Sequence, residues 1–263
     1  MKKLSKLYLA LVLLFFYVPI FVLIVFSFIE TKSRSVFSGF TLDWYMKLFQ
    51  NELILTSLRN TVIVSVLAAV IATVLGTVAA VGINAMRKPV KATIMQITNL
   101  PIINPEIVTG VSLMLLFVFF AARMHFEFGF VTLIIAHITF NVPYVILNVM
   151  PRFRQMNPHL YEAAQDLGCN PVKGFFKVIL PEILPGVFSG FLMSFTFSLD
   201  DFIVSYFTSG ATSQTLPVTI YSMTRRKISP EINALSTIIF VVVVIVLITK
   251  NIIETRAAKR EGK

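Results

Sequence analysis

Hydrophobic positions along this chain come in long unbroken runs, and polar positions gather between them. The runs cover about 7–29, 58–84, 92–121, 129–150, 186–209 and 233–254. Each is long enough, as a helix rising ~1.5 Å per residue, to cross a hydrocarbon layer ~30 Å thick. The pattern therefore predicts an all-α membrane protein of six transmembrane helices, organised as one domain over 1–263. The first run follows Lys2, Lys3 and Lys6 and has no small-residue cleavage site, so it reads as a retained helix, apolar all round and facing lipid. In the second, Ser65, Ala69, Ala72, Gly76 and Ala80 form a stripe of small residues. Lipid gives helices no hydrophobic reason to associate, so close packing at small residues predicts a central helix.

The remaining runs are less uniform. Asn99, Pro101, Asn104, Pro105 and Glu106 interrupt the third early. Backbone groups freed at membrane depth need protein or cavity water, so this section is expected to face the interior. The fourth carries His137, Asn141, Tyr144 and Asn148 on one stripe, which fits a wet path or interhelical hydrogen bonds. Between the first two runs, Phe40, Trp44, Tyr45 and Leu48 predict an amphipathic helix in the headgroup interface. The stretch 210–232 reads as an outer loop.

Charge changes the picture by giving it a direction. The chain is 56% hydrophobic and 14% charged, with a formal net charge of +10. A basic excess on a membrane chain reflects the cytoplasmic bias of Lys and Arg rather than nucleic-acid binding. With the N-terminus inside, nearly two-thirds of the 23 Lys and Arg fall on inner segments. Both termini and the loop 151–185 are then cytoplasmic. The single cysteine, Cys169, excludes a disulfide within the chain and sits in that loop as a reduced thiol. No Gly-rich phosphate loop ending in Lys-Ser/Thr is present, nor paired cysteines or close His/Glu pairs. No catalytic residues, metal site or cofactor are expected, and the chain is read as a non-enzyme.

The candidate chemistry lies in carboxylates placed within apolar runs. Counted from Gly186, Asp200 lies about 21 Å along a helix, near the middle of a bilayer. An ionised carboxylate there costs on the order of 2.5–3.5 kcal/mol, and Asp201 beside it adds repulsion. Protons, a basic partner or a cationic cargo must compensate. Ser194, Ser198, Asp201 and Ser205 share one stripe, with Asp200 turned about 100° away. That divergence argues against an acid–base enzyme pair. Glu106 comes to similar depth in its own run. With Phe197, Phe202, Tyr206, Tyr144 and Asn141, these residues make a candidate substrate pathway suited to an organic ammonium ion. The plainer alternatives are that an aspartate caps a broken helix, or that Glu106 is a first-turn charge in a restarted one.

The most specific stretch is Glu162-Ala163-Ala164-Gln165-Asp166-Leu167-Gly168, followed by Val178-Ile179-Leu180-Pro181. It resembles the EAA loop of binding-protein-dependent ABC importer permeases, with Val178 where that family usually has Ile. Tyr161, Ala164 and Gly168 recur at helical spacing, giving a face that small residues would let a partner approach. The segment 194–207 around Asp200-Asp201, with 216–223, 229–234, Pro105-Glu106-Ile107-Val108, His137-Ile138-Thr139-Phe140 and Pro143, is similar to spermidine/putrescine importer permeases of the PotC type. The likeness implies a type I importer (MetI-like) fold in a bacterial plasma membrane and transport of polyamines into the cytoplasm. Glu162, Ala163, Ala164, Gly168, Leu180 and Pro181 would couple to ABC ATPase subunits, PotA-like. A PotB-like second permease and a PotD-like extracytoplasmic polyamine-binding protein would complete the complex. Related permeases carry other small organic solutes, which stands as the alternative cargo.

Overall fold

The computed structural model describes residues 2–30, 39–124, 126–157, 159–166, 168–226, 230–241, 244–245 and 248. Among them every regular element is helical, apart from one isolated bridge between Ile29 and Phe40. The order is α1 (Lys2–Ser27), α2 (Asp43–Gln50), α3 (Glu52–Ala85), α4 (Lys88–Ile103), α5 (Glu106–Met124) and α6 (Phe130–Gln155). Then come α7 (His159–Asp166), α8 (Pro171–Gly174), a π-helical turn (Phe175–Ile179), α9 (Leu180–Asp200), α10 (Ile203–Thr208), α11 (Leu216–Arg226) and α12 (Pro230–Val241). Among the described residues, five helices are long and apolar enough to cross a membrane: Lys6–Ser27, Glu52–Ala85, Glu106–Met124, Phe130–Gln155 and Pro171–Asp200.

Two expected spans are redrawn. The third, 92–121, is divided at Asn104 and Pro105, and only α5 has the length and apolarity to cross. Proline has no N–H for the helix and biases the preceding residue to extended backbone; Asn104 sits at φ −72° and ψ 136°. The fifth, 186–209, stops at Asp200 and resumes as α10. Of the expected sixth, 233–254, α12 covers the start and the rest lies largely outside the described residues.

The chain forms two compact units, Met1–Leu55 with Ile220–Lys263, and Thr56–Thr219. In the first, α1 exposes most of its apolar surface. The α2 segment forms the expected short amphipathic helix, with its aromatic face turned into the unit. Trp44 and Leu48 are buried, and Trp44 donates from its indole nitrogen to the Ile29 carbonyl at 2.8 Å. Phe28 stacks on Phe40, and Ser27 pairs with the Tyr45 hydroxyl at 2.8 Å. The indole is therefore anchored by a backbone acceptor inside the unit, while Met46 and Phe49 take the outward face.

In the second unit the small-residue stripe of α3 is buried from Ser65 to Ala80. Gly76 lies against Val145 of α6, where a Cβ would come within 2.6 Å of it. Helices α6 and α9 run antiparallel: Gly186 meets Asn148 and Arg152, and Gly190 meets Val145. Glycine at both points lets the backbones close without a side chain between them. Ala80, Ile83, Val145, Ile146, Val149, Met150, Phe153 and Ile183 fill the core so formed. A second cluster of Leu113, Phe117, Ala136 and Val204 ties α5, α6 and α10 together. The stretch 210–215 is held on α3, where Asn60 donates to the carbonyls of Thr212 and Gln214 and Thr61 accepts from the Leu216 N–H.

Candidate functional site

Two helix breaks meet at one cavity. At the first, α4 ends at Ile103 and α5 restarts at Glu106, placing Glu106 in the first turn, where the helix dipole favours negative charge. At the second, Asp201 leaves helical geometry (φ −60°, ψ 124°) between α9 and α10. Between them lies a cavity of about 400 Å³ whose lining includes Glu106, Tyr144, Phe197, Asp200, Asp201 and Phe202. Non-helical backbone in a membrane chain is tolerated where it borders such a space. Of the eight residues expected in the substrate pathway, six line it.

The two adjacent aspartates have different surroundings. Asp201 turns back over α10: its Oδ1 accepts from the Val204 N–H at 3.2 Å and its Oδ2 from the Ser205 N–H at 2.7 Å. This is the capping alternative, realised. Asp200 is exposed to the cavity. The Tyr144 and Phe197 rings lie 4.5 Å apart as one aromatic wall, and Phe202 contacts Tyr206 at 5.6 Å. Asn141 is not in the cavity; it is fully buried behind it and donates to Ser198 Oγ at 2.8 Å. Tyr206 is outside it too, at its Phe202 edge.

One participant was visible in sequence without its role. His137, on the polar stripe of α6, is fully buried with a hydroxyl at each ring nitrogen, Ser198 at 2.9 Å and Ser205 at 3.0 Å. Both stripes are readable from their spacing. That they face each other across the break is a fact of tertiary packing.

The EAA stretch forms α7 and a turn. Gly168 takes φ +82°, its N–H donates to Gln165 O at 2.8 Å, and the Cys169 N–H donates to Ala164 O at 3.0 Å. These paired bonds are the Schellman arrangement, which needs a left-handed residue that glycine adopts without penalty. Among the described residues beyond its chain neighbours, no atom lies within 4 Å of where a Gly168 Cβ would sit. The glycine thus serves backbone conformation rather than close approach. The expected partner face is also corrected. Ala164 is buried and the Tyr161 ring covers Gly174, so that face packs on the chain's own α8. Glu162 and Ala163 are exposed instead, with Glu162 paired to His159 at 3.1 Å. Leu180 packs against the core, and Pro181 lines an outer apolar groove between α3 and α9. Asn170 caps α8 by accepting from the Lys173 N–H, and Pro171 follows at the first helical position. Lys91 of α4 donates to Asn84 of α3 at 2.7 Å. Partial burial, with the Arg154 guanidinium adding to it, holds the Lys91 amine below the ordinary lysine value.

A bundle of bilayer-length helices, broken where it borders a polar cavity and joined by an exposed loop helix, is the architecture of a multi-pass membrane permease. Residues 72–258 match the model for the binding-protein-dependent transport system inner membrane component, and the chain belongs to that family. The putrescine transport system permease protein PotI of Escherichia coli (strain K12) is 35% identical over 236 residues, covering 86% of this chain and 81% of that protein. The spermidine/putrescine transport system permease protein PotC of Shigella flexneri is 34% identical over 248 residues, covering 94% and 92%. Among solved structures, a chain of a bacterial ABC transporter involved in the import of the acidic polysaccharide alginate superposes with a TM-score of 0.71. It is 15% identical and covers 97% of this chain and 95% of that one. A chain of a bacterial alginate ABC transporter in complex with an alginate pentasaccharide-bound periplasmic protein gives 0.70 at 19% identity, covering 94% and 93%. These likenesses show the type I ABC importer permease fold.

Proposed function

We propose that this chain is the polyamine-translocating permease subunit of an ATP-driven importer. It works with ABC ATPase subunits (PotA-like), a second permease (PotB-like) and an extracytoplasmic polyamine-binding protein (PotD-like). The observation that carries the reading is the cavity, where Asp200 and Glu106 stand with the Tyr144–Phe197 wall. Two carboxylates and aromatic faces suit a linear chain of ammonium groups and methylenes, through charge pairing, cation–π attraction and apolar contact. The one-third identity to relatives named for putrescine and spermidine supports the same cargo.

Energy enters from another polypeptide. The loop 151–185 and both chain ends lie on the cytoplasmic side, and an ATPase subunit seats on the exposed Glu162–Ala163 side of α7. Ala164 and Leu180 hold that helix to the bundle, Gly168 turns the chain out of it, and Pro181 lies on the helix that runs to the cavity. Closure of the ATPase dimer pulls on α7, and the pull reaches Asp200 through the continuous helix Pro171–Asp200.

The test is uptake of labelled spermidine and putrescine by vesicles holding the complete complex with its binding protein. ATP-dependent uptake is expected, with Asp200→Asn and Glu106→Gln each raising the apparent KM about tenfold, the loss of one charge-assisted contact. Uptake indifferent to both substitutions, or preference for an uncharged solute, would overturn the cargo assignment.

A further inference from the structure

Ser198 and Ser205 stand on opposite sides of the break between α9 and α10, and one side chain from a third helix joins them. His137 of α6 is fully buried, its Nδ1 2.9 Å from Ser198 Oγ and its Nε2 3.0 Å from Ser205 Oγ. The same Nε2 lies 3.6 Å from Asp201 Oδ2, on a side chain only 6% exposed. Asn141 donates to Ser198, so the Ser198 hydroxyl is free to donate to Nδ1. The set closes with the ring proton on Nε2, pointing at Ser205 and Asp201. Asp201 meanwhile takes the first free N–H groups of α10. A buried imidazole with a partner at each nitrogen, spanning a chain break, is costly to build and fixes one geometry.

We propose that His137 is a positioning residue for transport and that Asp201 belongs to the same device. Together they fix the break, so that Asp200 opens to the cargo while Asp201, which also borders the cavity, is held by the amides of α10. An unbroken helix would carry both acids outward about 100° apart. The break folds one inward, where its charge is met by α10 and His137. This inference rests on the cavity being the cation path, and the experiment separates the two.

The experiment uses the complete complex in vesicles. It measures hydrogen–deuterium exchange at the Val204 and Ser205 amides beside the concentration dependence of spermidine uptake. Asn keeps one of the two acceptor oxygens that Asp201 offers to Val204 and Ser205, so Asp201→Asn is expected to keep one of the two amides protected and to raise the apparent KM less than Asp201→Ala does. Asp201→Ala loses the acceptor and is expected to speed exchange about fivefold and raise the apparent KM. His137→Ala behaves as Asp201→Ala does. Ser198→Ala and Ser205→Ala, each removing one arm, give intermediate values and serve if His137→Ala fails to assemble. A structural defect alone would lower the amount of complex and leave KM unmoved. If Asp201→Asn lost uptake as fully as Asp201→Ala with one of its amides still protected, Asp201 would be a cargo carboxylate and the proposal would fail. Unchanged exchange in the His137 and serine variants would remove His137 from the role. If the parent complex moved no polyamine, the exchange data would still judge the device while the cargo reading fell.

Discussion

Gly186 shows how much a single atom decides in this bundle. A Cβ there would come within 2.7 Å of both the Asn148 carbonyl oxygen and Arg152 Cγ, and the carbonyl belongs to a helix backbone that cannot swing away. Gly186→Ala is therefore expected to force α6 and α9 apart, costing about 1–3 kcal/mol as an overpacked contact. Among the described residues outside its own helical turn, Gly82 of α3 has no atom within 4 Å of the same position, so Gly82→Ala should be neutral or gain up to about 1 kcal/mol of helix propensity. Thermal unfolding midpoints in detergent check the pair; equal shifts would contradict the packing. At this scale the sequence was informative about residue type and silent about direction. Asp200 and Asp201 are chemically identical neighbours, and only the end of α9 between them separates a capping carboxylate from a cavity one. Ala164 was legible as part of a helical face, but the covering of that face by α8 depends on a turn whose outcome the pattern does not encode.

At the scale of elements, periodicity found the long helices because lipid demands whole apolar faces, and it lost precision where polar and apolar residues mix. The small-residue stripe of α3 is buried along its length, since backbone approach is the main route to helix packing in a membrane. The α2 segment is the contrary case. Trp at a boundary normally marks the headgroups, yet here the indole N–H reaches the Ile29 carbonyl and a lysine ammonium lies 4.6 Å from the ring centroid. Trp44 is the chain's only tryptophan, so its fluorescence reports this element alone. Only 5% exposed, it is expected to emit at short wavelength and to resist quenching by lipids brominated near the headgroup. Strong quenching by such lipids would show the ring open to the headgroups rather than enclosed. Trp44→Phe loses the hydrogen bond and part of the buried indole volume, and should destabilise by about 1–3 kcal/mol.

At the scale of the whole molecule, orientation joins the motif to the function. The bias of Lys and Arg and the EAA stretch rest on different residues, and both predict a cytoplasmic 151–185 loop. The chain carries its own reporter of this, since Cys169 is its single thiol, follows Gly168 directly, and is half-buried rather than enclosed. A membrane-impermeant maleimide is expected to label Cys169 in inside-out vesicles and to leave it unlabelled in right-side-out ones. Labelling should slow when ATPase subunits are bound, because the turn bearing Cys169 is bonded to Ala164 at the end of the proposed docking helix. The reverse sidedness would place α7 where no nucleotide-driven motor can reach it, and no rearrangement of the cavity residues could then rescue an ATP-driven importer. Sidedness correct but labelling indifferent to the ATPase would locate the motor elsewhere on the cytoplasmic surface. That result would leave the permease fold standing and shift the route of the pull away from the continuous helix Pro171–Asp200.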